Sequence, residues 1–271
     1  MKRMLSSARL IRYFYNKNVY FSVFIVLVLY CLTLLIENHS NEKNIYDLFI
    51  EITRFHSLSY LIIPTFLIVL TVYFSQGKVQ NYLAFRFQNK KQWYHMNLVC
   101  IAQLTIGFLL IVVAIMLVQS LFVFSFKNKW SDFALNYYTY HSDFLMNFSP
   151  FAYSIATFIL VGLHLFLFGL IFYFIFIWTR NPMISLLFVI LLNVMNIAIT
   201  LGKLDSLAPF FFTDHVNIMQ YIYKFDLNQY SFPYSIFIYW LILILIIYSI
   251  SRFLLDRVDF DVEKGEKKDV S

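Results

Sequence analysis

The side chains with chemistry to offer are few, and they stand alone in long apolar runs. His164 lies in Val161-Gly162-Leu163-His164-Leu165-Phe166-Leu167-Phe168-Gly169. An imidazole there can titrate, hydrogen-bond across to another helix, or serve as a packing residue with its polar atoms satisfied. Asn193 and Asn196 are spaced three apart, so on a helix they share one face. Gln103 and Gln119 are the other isolated amides. His164, Asn193, Asn196 and Gln103 therefore form the candidate polar path for a substrate, or else the hydrogen-bonding glue between helices. Equally informative is what the runs lack: they contain no Lys, Arg, Asp or Glu. Ion-coupled carriers usually bury ionisable groups along the pathway to bind the driving ion.

No catalytic constellation stands out. There is no His-Glu-x-x-His, no nucleophile elbow and no paired intramembrane carboxylates. Cys31 and Cys100 both sit inside apolar runs, which indicates neither a disulfide framework nor a metal site. A phosphate-binding G-x-x-x-x-G-K-[ST] loop is also missing, so this chain does not hydrolyse ATP by that route itself.

A second set of residues is defined by spacing. Ser75 to Asn97 carries Lys78, Arg86, Lys90 and Lys91 and no acid. Val79, Tyr82, Leu83 and Phe87 recur at helical intervals, while Arg86 and Lys90 fall on the wet side. Two readings fit: a short amphipathic helix at a membrane surface, or a plain basic loop with interfacial aromatics.

The elements that must position these residues follow from composition. The chain of 271 residues is 61% hydrophobic, 21% aromatic and 13% charged. Soluble domains carry roughly twice that charge, so the class is an all-α integral membrane protein. Six spans are expected, over 19–36, 58–74, 98–126, 151–179, 183–201 and 235–251. Residues 1–18 read as a basic amphipathic helix at the interface, with Met4, Ala8, Ile11 and Tyr15 along one stripe, and 252–271 as a charged tail. Pro64 falls inside the second span and predicts a kink. Leu48, Ile50 and Ile52 hint at a short surface helix, and Arg180-Asn181-Pro182 predicts a tight turn between two spans. The stretch 202–234 mixes aromatics with Asp205, Asp214, His215 and Lys224, and predicts short helices half-dipped in the membrane.

Charge sets the orientation. Of the 21 Lys and Arg residues, fifteen fall on the face shared by both termini, residues 75–97 and Arg180. The positive-inside rule then predicts a cell-membrane protein with both termini cytoplasmic. The net charge of +6 is spread beside spans and is no nucleic-acid footprint.

This layout resembles the membrane subunit of a type-2 ABC exporter over nearly the whole chain. The local likenesses are Arg86-Phe87-Gln88-Asn89-Lys90-Lys91-Gln92-Trp93-Tyr94 leading into span three, and Thr179-Arg180-Asn181-Pro182 between spans four and five. Ser149-Pro150-Phe151 and Ala208-Pro209-Phe210 look like the family's outer Pro-Phe junctions. The low glycine content, six residues, departs from easy helix seams. The resemblance implies a coupling helix over about residues 77–89, docking on a separate ABC ATPase subunit through Val79, Tyr82, Leu83, Arg86, Phe87 and Lys90. It implies a second permease chain, ATP and Mg on the partner ATPase, and a hydrophobic or amphipathic cargo moved out of the cell. Two alternatives stay open: an integral membrane enzyme using His164, His141 or Asp143, and a secondary carrier without an ATPase.

Overall fold

The computed structural model describes residues 16–39, 44–75, 90–121, 123–137, 142–203, 206 and 211–255. Among these the regular structure is helical, with no strand. The helices are α1 (Lys17–His39), α2 (Ile45–Thr53), α3 (Phe55–Ser75), α4 (Lys90–Ser120), α5 (Asp132–Tyr137), α6 (Ser142–Asn147), α7 (Pro150–Thr179), α8 (Pro182–Thr200), α9 (Ile218–Lys224) and α10 (Ser235–Leu255). α1, α3, α4, α7, α8 and α10 are each long and apolar enough to cross a membrane. The protein is thus an all-α, multi-pass membrane protein. Leu110, Val118, Leu187 and Leu245 are exposed on its flanks, as lipid-facing residues should be.

α7 is the central helix. It packs against α2, α3, α4, α8 and α10. Its start is set by Ser149, whose hydroxyl accepts from the Ala152 amide, and by Pro150 in the first turn, where the missing N–H costs nothing. Arg180 ends it in a left-handed conformation, φ 55°. Asn181 then caps α8, accepting from Met183 N at 2.9 Å, with Pro182 at the first helical position. The turn expected from Arg180-Asn181-Pro182 is therefore present. Its end of the bundle, shared with Lys17, Lys90 and Arg252, is called the basic end here; the other is the loop end.

Several boundaries depart from expectation. α4 begins at Lys90 rather than Leu98 and stops at Ser120 rather than Phe126. Gln92, His95 and Asn97 look like loop by hydropathy, yet Asn97 is fully buried, donating to Trp93 O at 3.1 Å and accepting from Tyr73 Oη at 3.2 Å. α2 is not a surface helix. Ile45, Leu48, Phe49 and Ile52 are buried, and Phe49 meets Phe158 of α7 edge-on at 5.3 Å. Its capping box explains the placement: Asn44 Oδ1 accepts from Tyr46 N and Asp47 N, and Asp47 returns a bond to Asn44 N at 2.7 Å. The segment near 202–234 packs against the rest of the protein, with Phe212, Val216, Ile218, Met219 and Ile222 buried. The interfacial helix over 1–18 has only its last residues described, and Val79, Tyr82, Leu83, Arg86 and Phe87 lie outside the described residues. So does most of the 252–271 tail.

Pro64 follows directly on an irregular turn of α3. Leu58–Ile62 is a π-helical turn, in which Ile63 N–H bonds to Leu58 O. The wider turn relieves the clash between a proline ring and the carbonyl four residues before it. In this register Ser59 O should take the N–H of residue 64, which proline lacks. A carbonyl is left over inside the bundle, and a side chain from another helix meets it.

Candidate functional site

Asn193 of α8 supplies the missing donor: its Nδ2 donates to Ser59 O at 2.8 Å. The pair joins α3 to α8 at the loop end of both helices. Around it gathers a buried set of neutral polar atoms. Ser59 Oγ, Asn193 Oδ1 and both nitrogens of His164 are buried with no hydrogen-bond partner in the protein. His164 is fully enclosed. Its ring stacks on Phe168 at 4.7 Å and meets the edges of Trp240 at 5.1 Å and Phe212 at 5.7 Å. Aromatic rings give an imidazole packing without hydrogen bonds, so its polar atoms remain unsatisfied.

A small cavity lies beside the ring, lined by Thr53, Ser59, His164, Asn196, Asn217 and Gln220 together with the apolar Phe55, Leu58 and Val216. Of the path expected from sequence, the structure thus brings His164 and Asn196 to one cavity, with Asn193 tied to its wall. Gln103 is not part of it. It is exposed on the outside of α4, because helix rotation is fixed by neighbouring contacts and not by residue type. Ser59 and Gln220 were missed. Serine in a span commonly bonds its own helix, as Thr65 does here to Leu61 O at 2.7 Å, and so carries little signal. The signal that does exist is Pro64, five residues after Ser59.

The cavity roof belongs to the loop-end cap. Gln220 Nε2 donates to Asp214 Oδ1 at 2.9 Å, and Asp214 also pairs with Lys224. Tyr221 Oη donates to Ser235 Oγ at 2.9 Å, and Trp240 Nε1 to His215 O at 2.7 Å. The His215 ring lies flat on Tyr239, centroids 3.6 Å apart, and its Nδ1 donates to Phe211 O at 3.0 Å. Asp143, a candidate catalytic carboxylate, instead accepts from Tyr230 Oη at 3.0 Å on the exposed surface, whereas His164 is fully buried. His141 lies outside the described residues.

Burial pushes the His215 imidazole below its ordinary pKa, against the upward pull of the Phe211 carbonyl and Asp214, and Lys224 adds to the lowering. A histidine whose folded pKa lies below its unfolded one contributes stability that is fully present above the unfolded value, about 6.5, and is lost as pH falls from there through the lower folded value. The cap should therefore loosen in acid. Thermal melts of the purified protein between about pH 8 and pH 5 should show a falling midpoint, and His215→Gln should flatten that slope. An identical slope in the variant would assign the acid sensitivity elsewhere.

At the basic end the two flanks of the 76–89 stretch meet a ladder of rings. Phe74 stacks on Tyr173 at 5.4 Å, Tyr173 on Tyr94 at 5.6 Å, and Tyr94 contacts Tyr248 at 6.0 Å. With the Tyr73–Asn97 bond this fixes the end of α3 and the start of α4 to α7 and α10. Lys90 opens α4 beside that ladder.

The fold and site define a six-span membrane protein with a neutral polar cluster at its loop end and an aromatic clamp at its basic end. The chain is 61% identical over 270 residues to Uncharacterized protein BH0177 of Halalkalibacterium halodurans, covering 100% of this chain and 99% of that one. It belongs to the same family as that protein. No family model matches the sequence, and no solved structure matches it.

Proposed function

We propose that this protein is the transmembrane subunit of an ATP-driven exporter of the type-2 ABC kind. It moves a hydrophobic or amphipathic cargo out of the cell, energised by a separate ATPase chain that carries ATP and Mg. The basic end is then cytoplasmic, with both termini there. The observation that carries the reading is the basic, amphipathic stretch between α3 and α4 in a chain whose apolar runs hold no charged residue. Such spans hold no carboxylate to bind a driving ion, which favours an energy source outside the membrane. The aromatic clamp supports this: a push on the stretch reaches α3, α4, α7 and α10 together through Phe74, Tyr94, Tyr173 and Tyr248. The cargo class is supported by an apolar groove of about 500 Å³ between α4 and α7, lined by Ala102, Leu109, Ile159, Gly162 and Phe166 among others. Its small residues, Ala102 and Gly162, leave room on a face that lipid can reach.

The test is purification of the full chain from native membranes in mild detergent. A P-loop ATPase should co-elute, and Phe87→Asp or Leu83→Asp should cut both its recovery and the ATP hydrolysis by about tenfold or more, because a charge replaces an apolar side chain of the proposed docking stripe. Transport by vesicles holding this chain alone, driven by a pH gradient, would instead establish a secondary carrier.

A further inference from the structure

The cavity beside His164 has a size, a lining and a charge, and together they select its occupant. Its volume is about 10 Å³, the room one water needs. Two of its lining residues, Ser59 and His164, present buried polar atoms with no partner in the protein. A neutral imidazole has one nitrogen that donates and one that accepts, and a hydroxyl does both. Their complement is a group that also donates and accepts. A cation does not fit. Every lining side chain other than His164 is uncharged, and Asp214, reached through Gln220, is already paired with Lys224. A charge placed there has no counter-ion and little solvent. An apolar occupant leaves the orphaned atoms as they are.

We infer that the cavity between Ser59 of α3, His164 of α7, Asn196 of α8 and Gln220 of α9 is a binding site for one neutral hydrogen-bonding ligand of water's size, and that water fills it at rest. The ligand, and not another side chain, satisfies His164. It also makes a joint among three spans and the cap, since each contributes a polar residue to the same small space. A water can exchange partners without breaking a side-chain packing arrangement, so the four elements can shift against one another there. The inference stands apart from the exporter reading and does not need an ATPase.

The experiment uses the full chain, labelled with ¹³C,¹⁵N-histidine, in lipid nanodiscs, with water as the probe. Water-edited solid-state NMR reads polarisation passing from water protons to each imidazole, and the His164 signal is identified by its loss in His164→Phe. The His164 ring should receive polarisation at short mixing times despite its burial. Ser59→Val places methyl groups in the cavity and should reduce that transfer several-fold. A wild-type His164 ring that stays dark while exposed His56 is polarised would overturn the inference, and so would transfer unchanged in a folded Ser59→Val protein. If that variant does not fold, the wild-type measurement alone decides.

Discussion

Gly169→Leu should abolish recovery of monodisperse protein, and Gly169→Ala should cost about 1–3 kcal/mol of stability, while Gly107→Ala should stay within about 0.5 kcal/mol of the parent. The contrast rests on what each new Cβ meets. At Gly169 it lies 2.5 Å from Ile101 Cγ2, with Leu70 Cδ1 at 3.6 Å and Phe66 Cε1 at 3.9 Å. Side chains of α3 and α4 press on the central helix at this point. The Ile101 methyl sits on a β-branched carbon of a helix, so it has few other rotamers to adopt, and the helix axes must part instead. At Gly107 nothing lies within 4 Å. Gly169 also lies between the buried polar cluster and the aromatic clamp on α7, five residues after His164 and one turn before Tyr173. Separating α4 from α7 at this point loosens the aromatic clamp as well as the core. Size-exclusion profiles and thermal midpoints of the detergent-solubilised variants give the readout. A Gly169→Ala protein as stable as Gly107→Ala would mean that the crossing at Ile101 is not close in the working protein.

The spans were readable because each is signalled locally. Long uncharged runs give α1, α7, α8 and α10 to within a few residues, and Arg180-Asn181-Pro182 gives the turn between two of them. α4 misled at its start because a membrane helix can carry Asn97 and Tyr94 once neighbouring helices enclose them, and hydropathy sees only the residue. The same limit divides the polar residues of the candidate site. His164, Asn193, Asn196 and Gln103 look alike in one dimension, as polar residues in apolar surroundings. Only packing decides that the first three turn inward and Gln103 turns out. The loop-end cap was legible as mixed and membrane-associated. That it roofs a cavity was not, since the contact of Gln220 with the His164 cavity spans more than fifty residues of sequence.

The bond between Asn193 and Ser59 offers the sharpest energetic test, because its cause can be removed independently of the bond. Asn193→Leu should destabilise the protein by about 1–3 kcal/mol, since a buried carbonyl loses its donor. Most of that cost should come from Ser59 O and little from the amide, whose own Oδ1 has no partner to lose. Pro64→Ala restores an N–H at position 64. If the π-turn persists, that N–H bonds Ser59 O; if α3 relaxes to an α-helix, Ile63 N–H does so. Either way the carbonyl acquires a backbone donor, and Asn193→Leu made in the Pro64→Ala background should cost at least about 0.5–1 kcal/mol less than in the parent, a coupling of the size contacting residues show. Denaturant titrations of the four proteins in one detergent close the cycle. Strict additivity would show that Asn193 stabilises through packing alone, and that the turn at Leu58–Ile62 does not depend on its partner helix. Coupling of the expected sign would make a proline in α3 the reason for an asparagine in α8, and so would tie two residues that lie 129 positions apart into one local requirement of the backbone.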